Sequence, residues 1–182
     1  MTDNIQHIID QIKHPIIELA GPTPRGYKIV DVLGLKITPT TITNTTKDVT
    51  VYTADDKEHS YSVDDVVDVR DLPYKDNSVG ILLCSYLPNV DHTQQLSWQD
   101  AETLVAKEYD KALNSNNPGT LKYASLHVSL LIGASKVLVD DGILIMQGTH
   151  TEDTIFAQSL GLKPLLSERV EQETECQIYF KS

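Results

Sequence analysis

The stretch Ile16-Ile17-Glu18-Leu19-Ala20-Gly21-Pro22-Thr23-Pro24-Arg25-Gly26-Tyr27 puts one carboxylate at the end of an apolar run, followed at once by small residues and prolines. An acid in apolar surroundings needs a partner. Glu18 can face a ligand at the mouth of the run, or accept hydrogen bonds from the backbone of the turn behind it. A second polar stretch, Asp68-Val69-Arg70-Asp71-Leu72-Pro73-Tyr74-Lys75-Asp76-Asn77-Ser78, leads into the run Val79–Cys84, which ends on Cys84, Ser85 and Tyr86. Asp68 can cap the loop or meet a ligand, and Tyr86 can position a reactant or cover a pocket. Asp71 and Asp76 have the setting of turn formers. The cluster Asp64, Asp65, Asp68 and Asp71 lacks the Gly and Glu spacing of a calcium loop, so no metal site is expected. His7, His14, His59, His92, His127 and His150 are dispersed. Only His92, just after the run 79–84, is placed to reach a reactant there, and a surface position is the plainer reading.

Two phosphate-binding patterns fail on spacing. A dinucleotide fingerprint needs Gly-x-Gly-x-x-Gly, and the first loop offers only Gly21 and Gly26. A P-loop needs Lys directly after its second glycine, whereas Tyr27 stands there, and two prolines remove backbone donors that would cradle phosphate.

The elements around these stretches follow from periodicity. Ile5, Ile8, Ile9 and Ile12 mark one face of a helix that Thr2 or Asp3 can cap and His14-Pro15 stops. Residues 15–20 have buried-strand length. Tyr27, Ile29, Val30 and Leu33 suit a helix closed by Gly34. Residues 40–45 are β-branched and read as a strand. Val49 and Val51 alternate, as do Tyr61 and Val63, around Ala54-Asp55-Asp56-Lys57, predicting a hairpin. Val66-Val67 opens another strand, and 79–84 is the most apolar one. Ser97 can cap a helix with the face Ala101, Leu104, Val105 and Tyr109. Leu121, Ala124, Val128 and Leu131 predict a long helix from 121 to about 138. Asp140-Asp141-Gly142 reads as a turn, 143–146 as a strand, 151–160 as a helix closed by Gly161, and 163–170 and 175–180 as an antiparallel pair. The alternation predicts an α/β fold, a doubly wound, mainly parallel sheet with that strand pair at its C-terminal side. Ligands of such sheets bind at the carboxyl ends of the strands, where the first loop lies.

With 182 residues, 40% hydrophobic content and a formal charge of -11, the chain reads as one domain, 1–182, with a helical insert at 93–119. Fifteen Lys and Arg against 26 Asp and Glu disfavour nucleic acid or an anionic membrane as partner. Cys84 and Cys176 each sit in an apolar run and read as buried free thiols. With no basic N-terminal segment and no long apolar run, a cytoplasmic location is expected.

Three stretches resemble the class I S-adenosylmethionine (SAM)-dependent methyltransferases, covering about residue 14 to the end. The family's first motif is an apolar run, an acid, one residue and Gly-x-Gly-x-Gly. Glu18 matches the acid, while Ala20, Pro22 and Pro24 occupy the glycine positions, with Gly21 and Thr23 between. The stretch 68–79 resembles the family's Asp-Ala-x-x-Leu-Pro-Phe-x-Asp-x-Ser-Phe-Asp, with Gly80 where Asp is common. Residues 137–146 resemble the segment entering its fifth strand. The resemblance implies SAM as cofactor in a Rossmann-like methyltransferase fold. Asp68 would meet the adenine amino group and the Val69 N–H the ring. Leu72, Pro73 and Tyr74 would wall the pocket, and Cys84, Ser85 and Tyr86 would border the methionine part and the acceptor. Glu18, Ala20, Gly21 and Thr23 would form the first cofactor loop. Asn44 stands where the family has a ribose-binding acid, and the hairpin at 49–63 replaces a helix. The expected activity is methyl transfer to a small-molecule acceptor, with 93–119 as acceptor lid. The alternative is a non-catalytic binding or scaffold relative that has lost SAM.

Overall fold

The computed structural model describes residues 2–24, 28–52, 57–85, 87–88, 90, 95–147, 151–170 and 174–182. Tyr86, His92, His150 and the hairpin turn at 53–56 lie outside them, as does the Cys176 side chain. The chain runs α1 (Thr2–Gln11), β1 (Ile16–Glu18), α2 (Ile29–Val32), β2 (Thr41–Asn44), β3 (Asp48–Tyr52), β4 (Glu58–Ser62), β5 (Asp65–Val66) and β6 (Val79–Cys84). It continues through α3 (Trp98–Leu113), a 3₁₀ turn (Pro118–Thr120), α4 (Leu126–Val137), β7 (Leu138–Gln147), α5 (Thr151–Ser159), β8 (Leu162–Val170) and β9 (Thr174–Lys181).

Seven strands form one sheet in the order β5-β2-β1-β6-β7-β9-β8. The five from β5 to β7 are parallel, and β9 pairs antiparallel with both β7 and β8. This is the doubly wound, Rossmann-like arrangement, with the expected antiparallel pair at its C-terminal side. The hairpin β3–β4 forms a separate two-stranded sheet.

Central parallel strands are covered on both faces, which is why β6 is apolar without alternation. Leu82 and Cys84 point to one layer with Leu144, Met146 and Tyr179, where the buried faces of α3, α4 and α5 pack through Val105, Tyr109, Leu130, Leu131 and Phe156. Ile81 and Leu83 point to the other with Ile143, Ile145 and Ile178, covered by Ile5 and Ile9 of α1 and Ile29 and Val30 of α2. Burying each such side chain is worth about 1.5–3 kcal/mol.

Four boundaries differ from the sequence reading. β1 stops at Glu18, because Ala20 takes a left-handed φ of 54° and turns the chain. α4 starts at Leu126, not 121. The Ser125 side chain accepts from the Val128 N–H (3.2 Å), and the N–H groups of Ala124 and Ser125 go to the Glu108 carboxylate (2.8 and 2.5 Å) instead of into a helix. Asp140-Asp141-Gly142 is no turn between elements but an irregularity inside β7. The register passes from Val79↔Leu138 to Ile81↔Ile143, and Asp141 absorbs the extra residues at φ 67°. α2 has only four residues.

Gly80, which departs from the family pattern, has a steric reason. A Cβ there would lie 2.9 Å from His14 Cβ and 3.1 Å from the His14 carbonyl, and would run into Ile12. The end of α1 therefore lies directly on β6 because that position is bare.

Candidate functional site

The order of strands reverses between β1 and β6: the chain winds outward from β1 through β2 to β5, then returns to β6. A crevice opens at such a switch point, beyond the strands' carboxyl ends. Those ends are Glu18 on β1, Asn44 on β2, Val66 just before Asp68 on β5, and Cys84 before Ser85 on β6. The parallel pairing brings Glu18, Asn44, Asp68, Cys84 and Ser85 to one edge of the sheet.

Glu18 is fully buried. Its Oε1 accepts the Thr23 N–H at 2.8 Å, and its Oε2 pairs with Lys28 Nζ at 3.1 Å. The carboxylate thus closes its own loop, at the carboxyl end of β1. The Leu19 N–H goes to Leu83 O and the Gly21 N–H to Thr43 O, so the loop is stitched to the neighbouring strands on both sides. Thr43 Oγ1 donates to Glu18 O (3.0 Å) and Asn44 Nδ2 to Gly21 O (2.7 Å). Pro22 and Pro24 have no N–H to give. A Cβ on Gly21 would lie 2.8 Å from Glu18 Cγ, 2.9 Å from Cδ and 3.0 Å from Oε1. Glycine is needed here to make room for a carboxylate of the chain itself, a different reason from the close approach of a ligand.

At the β6 end, Cys84 and Ser85 are fully buried. Ser85 Oγ has no hydrogen-bond partner among the described residues. Asp68 is about two-fifths exposed and is gripped by Arg70, whose Nε reaches Oδ1 at 2.9 Å and whose Nη2 reaches Oδ2 at 2.5 Å. The Arg70 hydrogen bond holds its carboxyl below the ordinary range, partly opposed by burial. The Arg70 N–H also bonds Oδ1 at 2.9 Å, so Asp68 does cap its loop. The Val69 side chain is buried in the core, and Leu72 and Tyr74 pack partly against it. Together with Gly133, Tyr123 and Lys136, Leu72 and Tyr74 also line a cleft of about 190 Å³ between this loop and α4.

Toward SAM the side chains divide. Ser85 offers an unused buried hydroxyl, and Glu18 a carboxylate with lone pairs beyond its two bonds. Both suit the polar amino-acid end of such a ligand. Asn44 suits the ribose poorly, because its amide serves Gly21 O and its Oδ1 accepts the Thr45 N–H (2.7 Å).

Sequence reasoning missed Lys28, Glu108, His127 and Asp153. His127 Nδ1 lies 3.2 Å from Asp153 Oδ2 and its Nε2 lies 3.0 Å from Leu87 O, with both side chains fully buried. The available signal was a polar residue on the apolar face of a helix: His127 among Leu126, Val128, Leu130 and Leu131, and Asp153 three residues before Phe156. The α3 segment of the insert 93–119 is built into the core through Ala101, Val105, Tyr109 and Ala112. Among the described residues no cluster of metal-ligating side chains occurs, and no helix is long and apolar enough to cross a membrane.

No protein-family model matches this chain, and no curated protein matches it. Among solved structures, a chain from the "Complex between the Haloferax volcanii Trm112 methyltransferase activator and the putative methyltransferase" superposes with a TM-score of 0.45 at 11% identity, over 97% of this chain and 87% of that one.

Proposed function

We propose that the protein binds SAM at the carboxyl edge between β1 and β6 and passes its methyl group to a small-molecule acceptor. The observation that carries this reading is Ser85: a fully buried hydroxyl without a hydrogen-bond partner among the described residues, at the switch point of a doubly wound sheet. Such a group costs about 1–3 kcal/mol when nothing meets it. A polar ligand atom in the crevice recovers that cost. Glu18 lends negative charge on the β1 side, with Lys28 beside it to meet a ligand carboxylate. Asp68 borders the adenine end in this reading, and Cys84 the acceptor end.

When bound, the cofactor supplies a sulfonium methyl open to in-line attack. The chain's own part is orientation and exclusion of water, which suffices for large rate effects without an acid–base dyad. The -11 charge favours a small, uncharged or cationic acceptor over nucleic acid, and the insert 93–119 covers it.

The test is calorimetric titration with SAM and S-adenosylhomocysteine, on the wild type and on Ser85→Ala and Asp68→Ala. The expected result is saturable binding that weakens at least about tenfold, or 1.4 kcal/mol, in each variant. Ser85→Ala should meanwhile leave the ligand-free protein as stable or more so, since it removes an unmet hydroxyl. No heat and no thermal stabilisation at millimolar ligand, from folded protein, would end this reading in favour of a binding or scaffold role.

A further inference from the structure

At the edge of the sheet opposite the cofactor crevice, another cleft of about 540 Å³ lies between the end of α1 and the start of β7. That size is within the ~300–1,000 Å³ of ordinary small-molecule sites. Its floor is apolar, built from Ile12 of α1's end, Val139 of β7 and Phe180 of β9, each half-buried. Its rim is charged, with opposite signs on two walls. Lys13, with His14 beside it, stands on the α1 side, and Asp140 and Asp141 stand on the β7 side.

The fold sets both walls. Because Gly80 is bare, Ile12 and His14 lie directly on β6. Across the cleft, Leu138 pairs with Val79, and pairing with β6 resumes only at Ile143 with Ile81. The residues between fall out of register, and Asp141 takes its left-handed φ of 67° there. Such a conformation is costly for any side chain, though Asp tolerates it better than most. Irregularities of this kind re-aim side chains beside functional sites. Here the result is two carboxylates at the mouth of the cleft. Among the described residues, none of the four rim side chains makes a hydrogen bond or ion pair. Cation and carboxylates thus border one cleft without pairing across it, and an apolar floor that gains from being covered lies between them.

We infer that this cleft binds a small zwitterion with an apolar side chain, of the class of the free apolar amino acids. Its carboxylate meets Lys13 and His14, its ammonium meets Asp140 and Asp141, and its side chain covers Ile12, Val139 and Phe180. A ligand of one sign leaves one wall unmet: a simple anion faces the two carboxylates, and a simple amine faces the lysine. The site lies at the amino ends of β6 and β7, so it stands apart from the crevice at their carboxyl ends and does not rest on the cofactor reading.

The experiment is a nitrogen-15 NMR titration of the full chain with L-phenylalanine. Two half-ligands run beside it: 3-phenylpropionate, which lacks the ammonium, and phenethylamine, which lacks the carboxylate. The expected result is saturable shifts at the amides of Lys13, His14, Asp141 and Phe180. Each half-ligand should bind at least about fivefold more weakly, the worth of one ion pair at an exposed rim. Lys13→Gln and Asp141→Asn should each weaken phenylalanine by a similar factor at an unchanged urea midpoint, since both side chains are exposed and hold no other described residue. Asn also tolerates the left-handed φ at 141. The inference is overturned by no saturable shift at about 50 mM ligand, or by half-ligands that bind as tightly as phenylalanine. Shifts that neither variant weakens, or that gather around Ser85 instead, overturn it equally.

Discussion

Replacing Gly21 by Ala tests the geometry of the first loop most directly. The new Cβ would fall 2.8 Å from Glu18 Cγ, 2.9 Å from Cδ and 3.0 Å from Oε1. Glu18 cannot swing away at little cost. It is fully buried, and its two oxygens are held by the Thr23 N–H and the Lys28 ammonium. Overpacking of this kind costs about 1–3 kcal/mol. Displacing charge-assisted hydrogen bonds costs about 1.5–3 kcal/mol more if they are lost outright. Reduced freedom of the unfolded chain returns about 0.4–1 kcal/mol. The net expectation is about 2–4 kcal/mol of destabilisation, a large part of the ~5–15 kcal/mol that holds a domain folded. In urea, with a slope of about 2–3 kcal/mol/M, the midpoint should move down by roughly 1 M at unchanged slope. The decisive arm is the same substitution in a Glu18→Ala background, where the obstructed atoms are gone and the alanine should cost almost nothing further. A double-mutant cycle then gives a coupling of about 2 kcal/mol. If Gly21→Ala lies within about 0.5 kcal/mol of wild type, or costs as much with Glu18 removed as with it present, the argument that this glycine serves the carboxylate is wrong.

Three further outcomes follow from other contacts. Glu108→Ala leaves two N–H groups ahead of α4 without their acceptor and should cost about 2–4 kcal/mol in chemical denaturation, with Glu108→Gln intermediate, since its amide keeps one acceptor oxygen. Gly80→Ala should be worse than Gly21→Ala, because the atoms it meets include the His14 backbone and no flexible tip; circular dichroism and urea midpoints check this. Tyr179 is raised from its ordinary value by burial, so the folded state keeps its proton where the unfolded chain loses it. Its contribution is complete below about pH 10 and is lost as pH rises beyond that. Tyr179→Phe should flatten the alkaline fall in stability, and an unchanged fall would show that other groups cause it.

The parts of this fold that were legible in the sequence are those fixed by near neighbours. The run Val79–Cys84 is apolar because both its faces are covered. Ser97 caps α3 through the Asp100 N–H, and the alternation of Val49 with Val51 and of Tyr61 with Val63 marks the antiparallel pair β3–β4. What was not legible depends on distant partners. The α4 boundary is set by Glu108, sixteen residues upstream of Ala124. The turn-like Asp140-Asp141-Gly142 is absorbed into β7 because β6 continues alongside it. Glu18 and Asp68 could be singled out as acids in telling places, but Lys28 and Arg70 could not be assigned to them from spacing. Asn44 looked like a ribose ligand because the strand end is where one belongs, and only the fold shows its amide turned to the Gly21 carbonyl.

The placement of β9 between β7 and β8 has a consequence for how the chain is assembled. β8 is synthesised before β9 but has no pairing partner until β9 arrives, and β7 lacks its outer neighbour for the same interval. On a ribosome adding about 5–20 residues per second, both strands expose unpaired backbone while the last segment emerges. β1 faces a longer wait: β2 follows within about two dozen residues, but Ile16 pairs with Ile81. The centre and the far edge of the sheet are thus closed by late-arriving strands, and a nascent chain stopped short of either is one for which folding chaperones have a use.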